Sequence, residues 1–128
     1  MNLLLDTHTF LWFIAGSENL SPKSRKLIEN EANRVFLSAA SLWEIAIKVS
    51  LGKLTLSEPF ETLVPAQLEM NSIELLGISV SHTSRVASLP FHHRDPFDRL
   101  LVAQALTEEI PIVSADEKLD AYGVTRLW

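Results

Sequence analysis

Short apolar runs and helical stretches take turns along the whole chain, and few architectures accept that order. Asn2–Leu5, Arg34–Ser38, Ile73–Ile78 and Pro111–Ser114 are apolar runs that read as buried strands, with Val124–Leu127 as a last candidate. Between them the spacing predicts helices over Thr7–Ala15, Lys23–Glu31, Ala39–Leu51, Pro59–Asn71, Ser81–Leu89 and Pro96–Glu109, and a short one over Glu117–Tyr122. Gly16 and Gly52 supply stops, and Pro22 after Ser21 marks a helix start. Strands that alternate with helices pack as a mostly parallel sheet covered on both faces. The expected fold is therefore α/β, a three-layer α/β/α sandwich. With 128 residues and no repeat or low-complexity tract, residues 1–128 form one domain. Lys53–Pro59 is the expected exposed loop.

Composition removes several function classes. The chain has no cysteine, hence no disulfide framework, thiolate nucleophile or Cys-ligated zinc. The apolar start MNLLLDTHTFLWFIAG lacks a basic head and is broken by Asp6 and His8, unlike a signal peptide. No run approaches the ~20 apolar residues that span a bilayer. A cytoplasmic protein with no membrane association is expected. A net charge of −5 argues against nucleic-acid binding by bulk positive charge. It leaves a nuclease open, because a bound cation reverses the sign of an acidic site.

The acids are where chemistry could lie. In open α/β sheets, sites form beyond the carboxyl ends of the strands. Asp6 follows the first strand and Asp116 the fourth, although each could simply cap the next helix. In AASLWEIAIKVSL, Ser41, Glu44 and Lys48 share one narrow polar face flanked by Trp43, Ile45, Ala46 and Ile47. A Glu44–Lys48 surface pair would explain that face. A buried Glu44 would instead need a partner or a metal. In FHHRDPFDRLLVAQAL, Pro96 suits the first helical turn, Asp95 the N-cap and Asp98 the reciprocal capping position. Local evidence favours capping for both. Four acids on four elements could nonetheless converge. An oxygen-only cluster suits Mg²⁺ or Mn²⁺, ions that activate water for phosphodiester hydrolysis. The adjacent His92 and His93 are badly placed for one ion, and His8 and His82 read as exposed or structural.

The chain resembles PIN-domain ribonucleases over its whole length. LLLDTHTFLW looks like their first motif and LSAASLWEIAIKVSLGKL their second. HRDPFDRLLVAQAL looks like the third and IVSADEKL the fourth. The order and length are most similar to VapC-type toxins of bacterial toxin–antitoxin pairs. The resemblance implies an endoribonuclease dependent on Mg²⁺ or Mn²⁺, acting on RNA, forming a homodimer and inhibited by a cognate antitoxin. It assigns Asp6, Glu44, Asp98 and Asp116 to the metal and to catalysis. Thr7 and Ser114 stand where the family places a small hydroxyl, and Asp95 matches a frequent additional acid. Lys48, Arg94 and Arg99 are candidates for phosphate contacts, with a solvated surface position the simpler expectation for Arg99. The competing readings are a phospho-accepting receiver-like domain, a dehalogenase-like phosphatase and a non-catalytic PIN-like interaction protein. The first wants paired acids where Asp6 stands alone. The second wants an acid where His8 stands.

Overall fold

The computed structural model describes residues 1–128. Its strands are β1 (Asn2–Leu5), β2 (Arg34–Ser38), β3 (Ile73–Leu76), β4 (Ile112–Val113) and β5 (Arg126–Leu127). Its helices are α1 (Thr7–Ala15), α2 (Pro22–Glu29), α3 (Ala39–Ser50), α4 (Phe60–Met70), α5 (Val80–Ser88) and α6 (Pro96–Glu108). A 3₁₀ helix covers Glu117–Tyr122. All the strands join one sheet in the order β3-β2-β1-β4-β5, and every pairing is parallel. The alternation of helix and strand thus produces the predicted α/β sandwich, with a sheet wholly rather than mostly parallel.

Strand β1 shows why the sheet must be covered twice. Its side chains alternate between faces. Leu3 and Leu5 enter one cluster with Phe10 of α1, Ile28 of α2 and Ile45 of α3. Leu4 enters the other with Leu101, Val102 and Ala105 of α6. All three leucines are fully buried. A strand apolar at every position can satisfy both faces only between two helical layers.

Element ends follow local chemistry. Ser21 accepts the Ser24 N–H and caps α2, with Pro22 in the first turn. Strand β3 stops at Leu76 rather than Ile78, and α5 starts at Val80, one residue early. Ser79 and His82 close a reciprocal capping box there, which sets that start. His82 is buried and structural, as expected. Strands β4 and β5 are shorter than predicted, holding two residues each.

The chain leaves β1 for β2 on one side, while β4 lies on the other. The β1–β4 border is therefore the point where strand order reverses. A crevice forms beyond the carboxyl ends of strands at such a border. Asp6 directly follows β1 there, and its N–H donates to Val113 O of β4 at 3.1 Å.

Candidate metal centre

Asp6 occupies the N-cap position of α1, yet its side chain caps nothing. Its Oδ2 accepts the Ser114 hydroxyl at 2.7 Å instead. Burial raises the Asp6 carboxyl above its ordinary range, while the Ser114 hydrogen bond and the charge of His8 pull it partly back. Ser114 is itself fully buried, and its Oγ accepts the Asp116 N–H at 3.1 Å. One hydroxyl thereby ties the acid after β1 to the acid after β4. Asp116 does cap the 3₁₀ helix, through Oδ1 to the Lys118 N–H at 3.0 Å. Its Oδ2 faces His93.

Glu44 is buried on α3. Lys48, one turn on, reaches Glu44 Oε2 at 3.0 Å. The pair is thus neither a surface bridge nor a free carboxylate, but a buried acid held by a partly exposed lysine. Thr7, also buried, donates to Ser41 Oγ at 2.8 Å. That bond fastens the start of α1 to the polar face of α3 and spends the Thr7 proton on scaffolding.

At the start of α6 the two aspartates separate. Asp95 Oδ1 accepts the N–H groups of Phe97 at 2.8 Å and Asp98 at 3.3 Å. Asp98 makes no reciprocal bond to the cap. Burial first, then the charges of Asp95, Asp6, Glu44 and Asp116, push its carboxyl up to about 7. Of the four acids named from the sequence, Asp98 and Asp116 bring ligand atoms within 4.8 Å of each other, while Asp6 and Glu44 lie outside that group and reach Asp98 through their charges.

Arg99 departs from both sequence expectations, solvated surface and phosphate contact. It is buried, and its guanidinium donates to Pro90 O at 2.9 Å, Leu89 O at 3.2 Å and Val86 O at 3.3 Å. The carbonyls that end α5 have few other donors, and a planar fork serves several at once. Arg99 is therefore a clamp between α5 and α6. Arg94 stays exposed, beside Lys48, Glu44 and Phe97 on a shallow pocket of about 400 Å³.

The residue that sequence reasoning missed is His93. One ligand atom each from His93, Asp98 and Asp116 lie within 4.8 Å of one another. The His92-His93 pair is visible in the sequence, but not which ring turns inward. Tyr122, distant in sequence, fixes the backbone of the pair by accepting both N–H groups, at 3.2 and 2.8 Å.

The donor set fits a divalent cation. Several carboxylates crowd a half-buried crevice, and Asp98 accepts no hydrogen bond from the protein to offset its charge. A cation between them relieves desolvation and repulsion together.

A model of the PIN domain family matches residues 3–124. Ribonuclease VapC22 of Mycobacterium tuberculosis is 27% identical over 121 residues, covering 94% of this chain and 91% of that protein. Ribonuclease VapC16 of the same organism is 37% identical over 62 residues, which span 48% of this chain and only 44% of that relative. VapBC2 from Rickettsia felis, bound to a DNA fragment from their promoter, superposes over 100% of this chain and 99% of that one. Its TM-score is 0.75 at 17% identity. FitAcB from Neisseria gonorrhoeae gives 0.67 at 16%, over 98% and 96%. At such identities the solved structures establish a shared fold.

Proposed function

Given that the chain belongs to the PIN domain family, we propose that it is a metal-dependent endoribonuclease, the toxin of a toxin–antitoxin pair. The observation that carries this reading is the approach of Asp98 and Asp116 ligand atoms to within 4.8 Å, with Asp6 tied to the Asp116 backbone through Ser114. The charges of Asp6 and Glu44 add to the burial that pushes Asp98 up to about 7. A cluster so unfavourable to itself calls for a cation.

Asp6, Asp98 and Asp116 would hold Mg²⁺ or Mn²⁺, with Glu44 closing the ring. Bound there, the ion would supply an activated water and neutralise charge on a phosphodiester. Ser114 orients Asp6 and locks the Asp116 backbone, so two acids from different strands keep one geometry. Lys48 balances Glu44 and leans toward the pocket where Arg94 stands free. These two are the proposed phosphate contacts, and Arg99, spent on carbonyls, is excluded. A few placed cations suffice for an RNA strand despite the net charge of −5, since phosphate contacts act locally.

A cognate antitoxin is the proposed protein partner, and a homodimer the proposed assembly. VapBC-5 from Mycobacterium tuberculosis, a solved structure of the same fold, is a member of the VapBC family of toxin–antitoxin systems. A groove of about 850 Å³ between α1 and Lys53–Ser57 opens beside His8 and Lys48 and is lined mainly by apolar side chains. An antitoxin segment seated there would lie against Lys48, the partner of Glu44. No helix is long and apolar enough to cross a membrane, and a cytoplasmic location is proposed.

Purified protein should cleave single-stranded RNA with Mg²⁺ or Mn²⁺ and stop on chelation. Asp6→Asn should fold normally and abolish cleavage, because the Asn side-chain oxygen can still accept the Ser114 hydroxyl but carries no charge. Wild-type activity in that variant would overturn the assignment. Absence of any metal-dependent cleavage would leave a binding protein on a nuclease fold.

A further inference from the structure

His93 is nine-tenths buried. Both of its ring nitrogens are shielded from solvent and lack a hydrogen-bond partner. Nε2 lies 3.4 Å from Asp116 Oδ2, close enough for a charge pair but without hydrogen-bond geometry. Buried polar atoms left this way are rare and costly. Nothing about the orientation is loose: the Tyr122 hydroxyl receives the His93 N–H, and the two rings pack at 5.5 Å. The same hydroxyl and ring hold His92, which stays exposed. Tyr122 thus pins the backbone of the pair, and His93 is the member whose ring faces Asp98 and Asp116.

Ligand atoms of these three residues are at most 4.8 Å apart. Two ligands on opposite sides of a small divalent cation, each at ~2.1 Å, are separated by about 4.2 Å. Only a side-chain adjustment is needed to bring all three onto one ion. The aspartates supply oxygen and the imidazole a neutral nitrogen.

We propose that His93 is a direct ligand of the cation, making a mixed nitrogen–oxygen centre with Asp98 and Asp116 that favours Mn²⁺ over Mg²⁺. The inference rests on the metal centre proposed above and goes beyond the four acids. Its chemical basis is that Mg²⁺ keeps to oxygen donors, whereas imidazole suits first-row transition ions. The alternative is that His93 only braces Asp116 from outside the coordination sphere.

Electron spin-echo spectroscopy of the Mn²⁺-loaded protein separates the two, because a bound imidazole imprints a ¹⁴N coupling on the ion. The coupling should be present in the wild type and persist in His8→Ala, which removes the histidine whose charge reaches Asp6. It should vanish in His93→Ala and His93→Gln. Calorimetry on the same variants should show Mn²⁺ affinity falling about tenfold or more, with Mg²⁺ affinity changing far less. Melting without metal verifies that each variant is folded. A ¹⁴N coupling that survives in folded His93→Ala, or unchanged Mn²⁺ affinity, overturns the proposal while leaving the carboxylate centre intact. Failure of the wild type to bind Mn²⁺ at all overturns both.

Discussion

An aspartate at a helix start can finish its work at the cap, and Asp95 does so through two backbone N–H groups. Asp98, one turn on, has no such outlet and bears the charge of four neighbouring acids. The same substitution should therefore have opposite consequences at the two positions. Asp95→Asn keeps a cap oxygen and should cost within about 1 kcal/mol, with most cleavage retained. Asp98→Asn should abolish cleavage and the Mn²⁺-induced rise in melting temperature, which depends on binding to the folded state alone. Reversed results would exchange the roles. Asp98 also sets a pH dependence. Its folded carboxyl is raised from 3.8 to about 7, so the folded state holds a proton that the unfolded chain releases. The stability tied to that proton is complete below about pH 4 and is lost as pH rises through about 7. Metal-free protein should lose about 1–2 kcal/mol over this window from Asp98, allowing for solvent at a half-open crevice. Asp98→Asn should flatten that slope in urea melts taken from pH 4.5 to 8. Glu44 and Lys48 differ in the same spirit. Glu44→Gln should abolish metal-dependent cleavage, whereas Lys48→Gln should only weaken it. Equal and small effects would make them a mere ion pair.

At the scale of elements, Arg99 clamps the end of α5 to α6, while His82 meets Gln104 and Glu108 nearer the start of α5. Arg99 is the donor for three carbonyls at and just beyond the end of α5, and its guanidinium lies 4.0 Å from the Phe91 ring centroid. Arg99→Leu should lower stability by about 2–3 kcal/mol, and Arg99→Lys should not restore it, since an ammonium cannot fork. The urea midpoint should fall with an unchanged slope. A loss under 0.5 kcal/mol would deny the clamp. The same residue shows where sequence reading stops. Helix ends at Ser21-Pro22 and Asp95-Pro96 are legible because a cap and its first turn are neighbours in sequence. So are the strand-end acids, because sheet geometry places any residue after a parallel strand on one edge. Arg99 was not legible, because its partners depend on how α5 lies against α6, and a single arginine on an apolar helix gives no sign of that. His93 failed to show for a related reason. Its backbone is pinned by Tyr122 from the 3₁₀ helix, a contact that no local spacing encodes.

At the scale of the whole molecule, the proposed homodimer needs a surface, and the aromatic residues near the chain ends do not provide it. Trp12, Phe13 and Trp128 pack against the larger core cluster, with Trp12 edge-on to Trp128 at 5.9 Å. Among the exposed large apolar side chains, which also include Trp43 and Phe91, three fall close together in sequence: Leu75, Ile78 and Val80 are 52%, 45% and 85% exposed, on the stretch from β3 into α5. Strand β3 is an outer strand of the sheet, so its free edge and these side chains are both without cover. Apolar area there would be buried twice by a two-fold pairing, and such pairing is the commonest symmetry of oligomers. Sedimentation should accordingly show a dimer at micromolar concentration. Joint Ile78→Asp and Val80→Asp should give a folded monomer with the wild-type circular dichroism spectrum, because neither side chain belongs to a core cluster. Trp12→Phe should lower stability through lost packing and leave the dimer whole. A wild-type monomer would defeat the dimer itself. A dimer that survives the paired aspartates but falls apart with Trp12→Phe would move the interface to the chain ends.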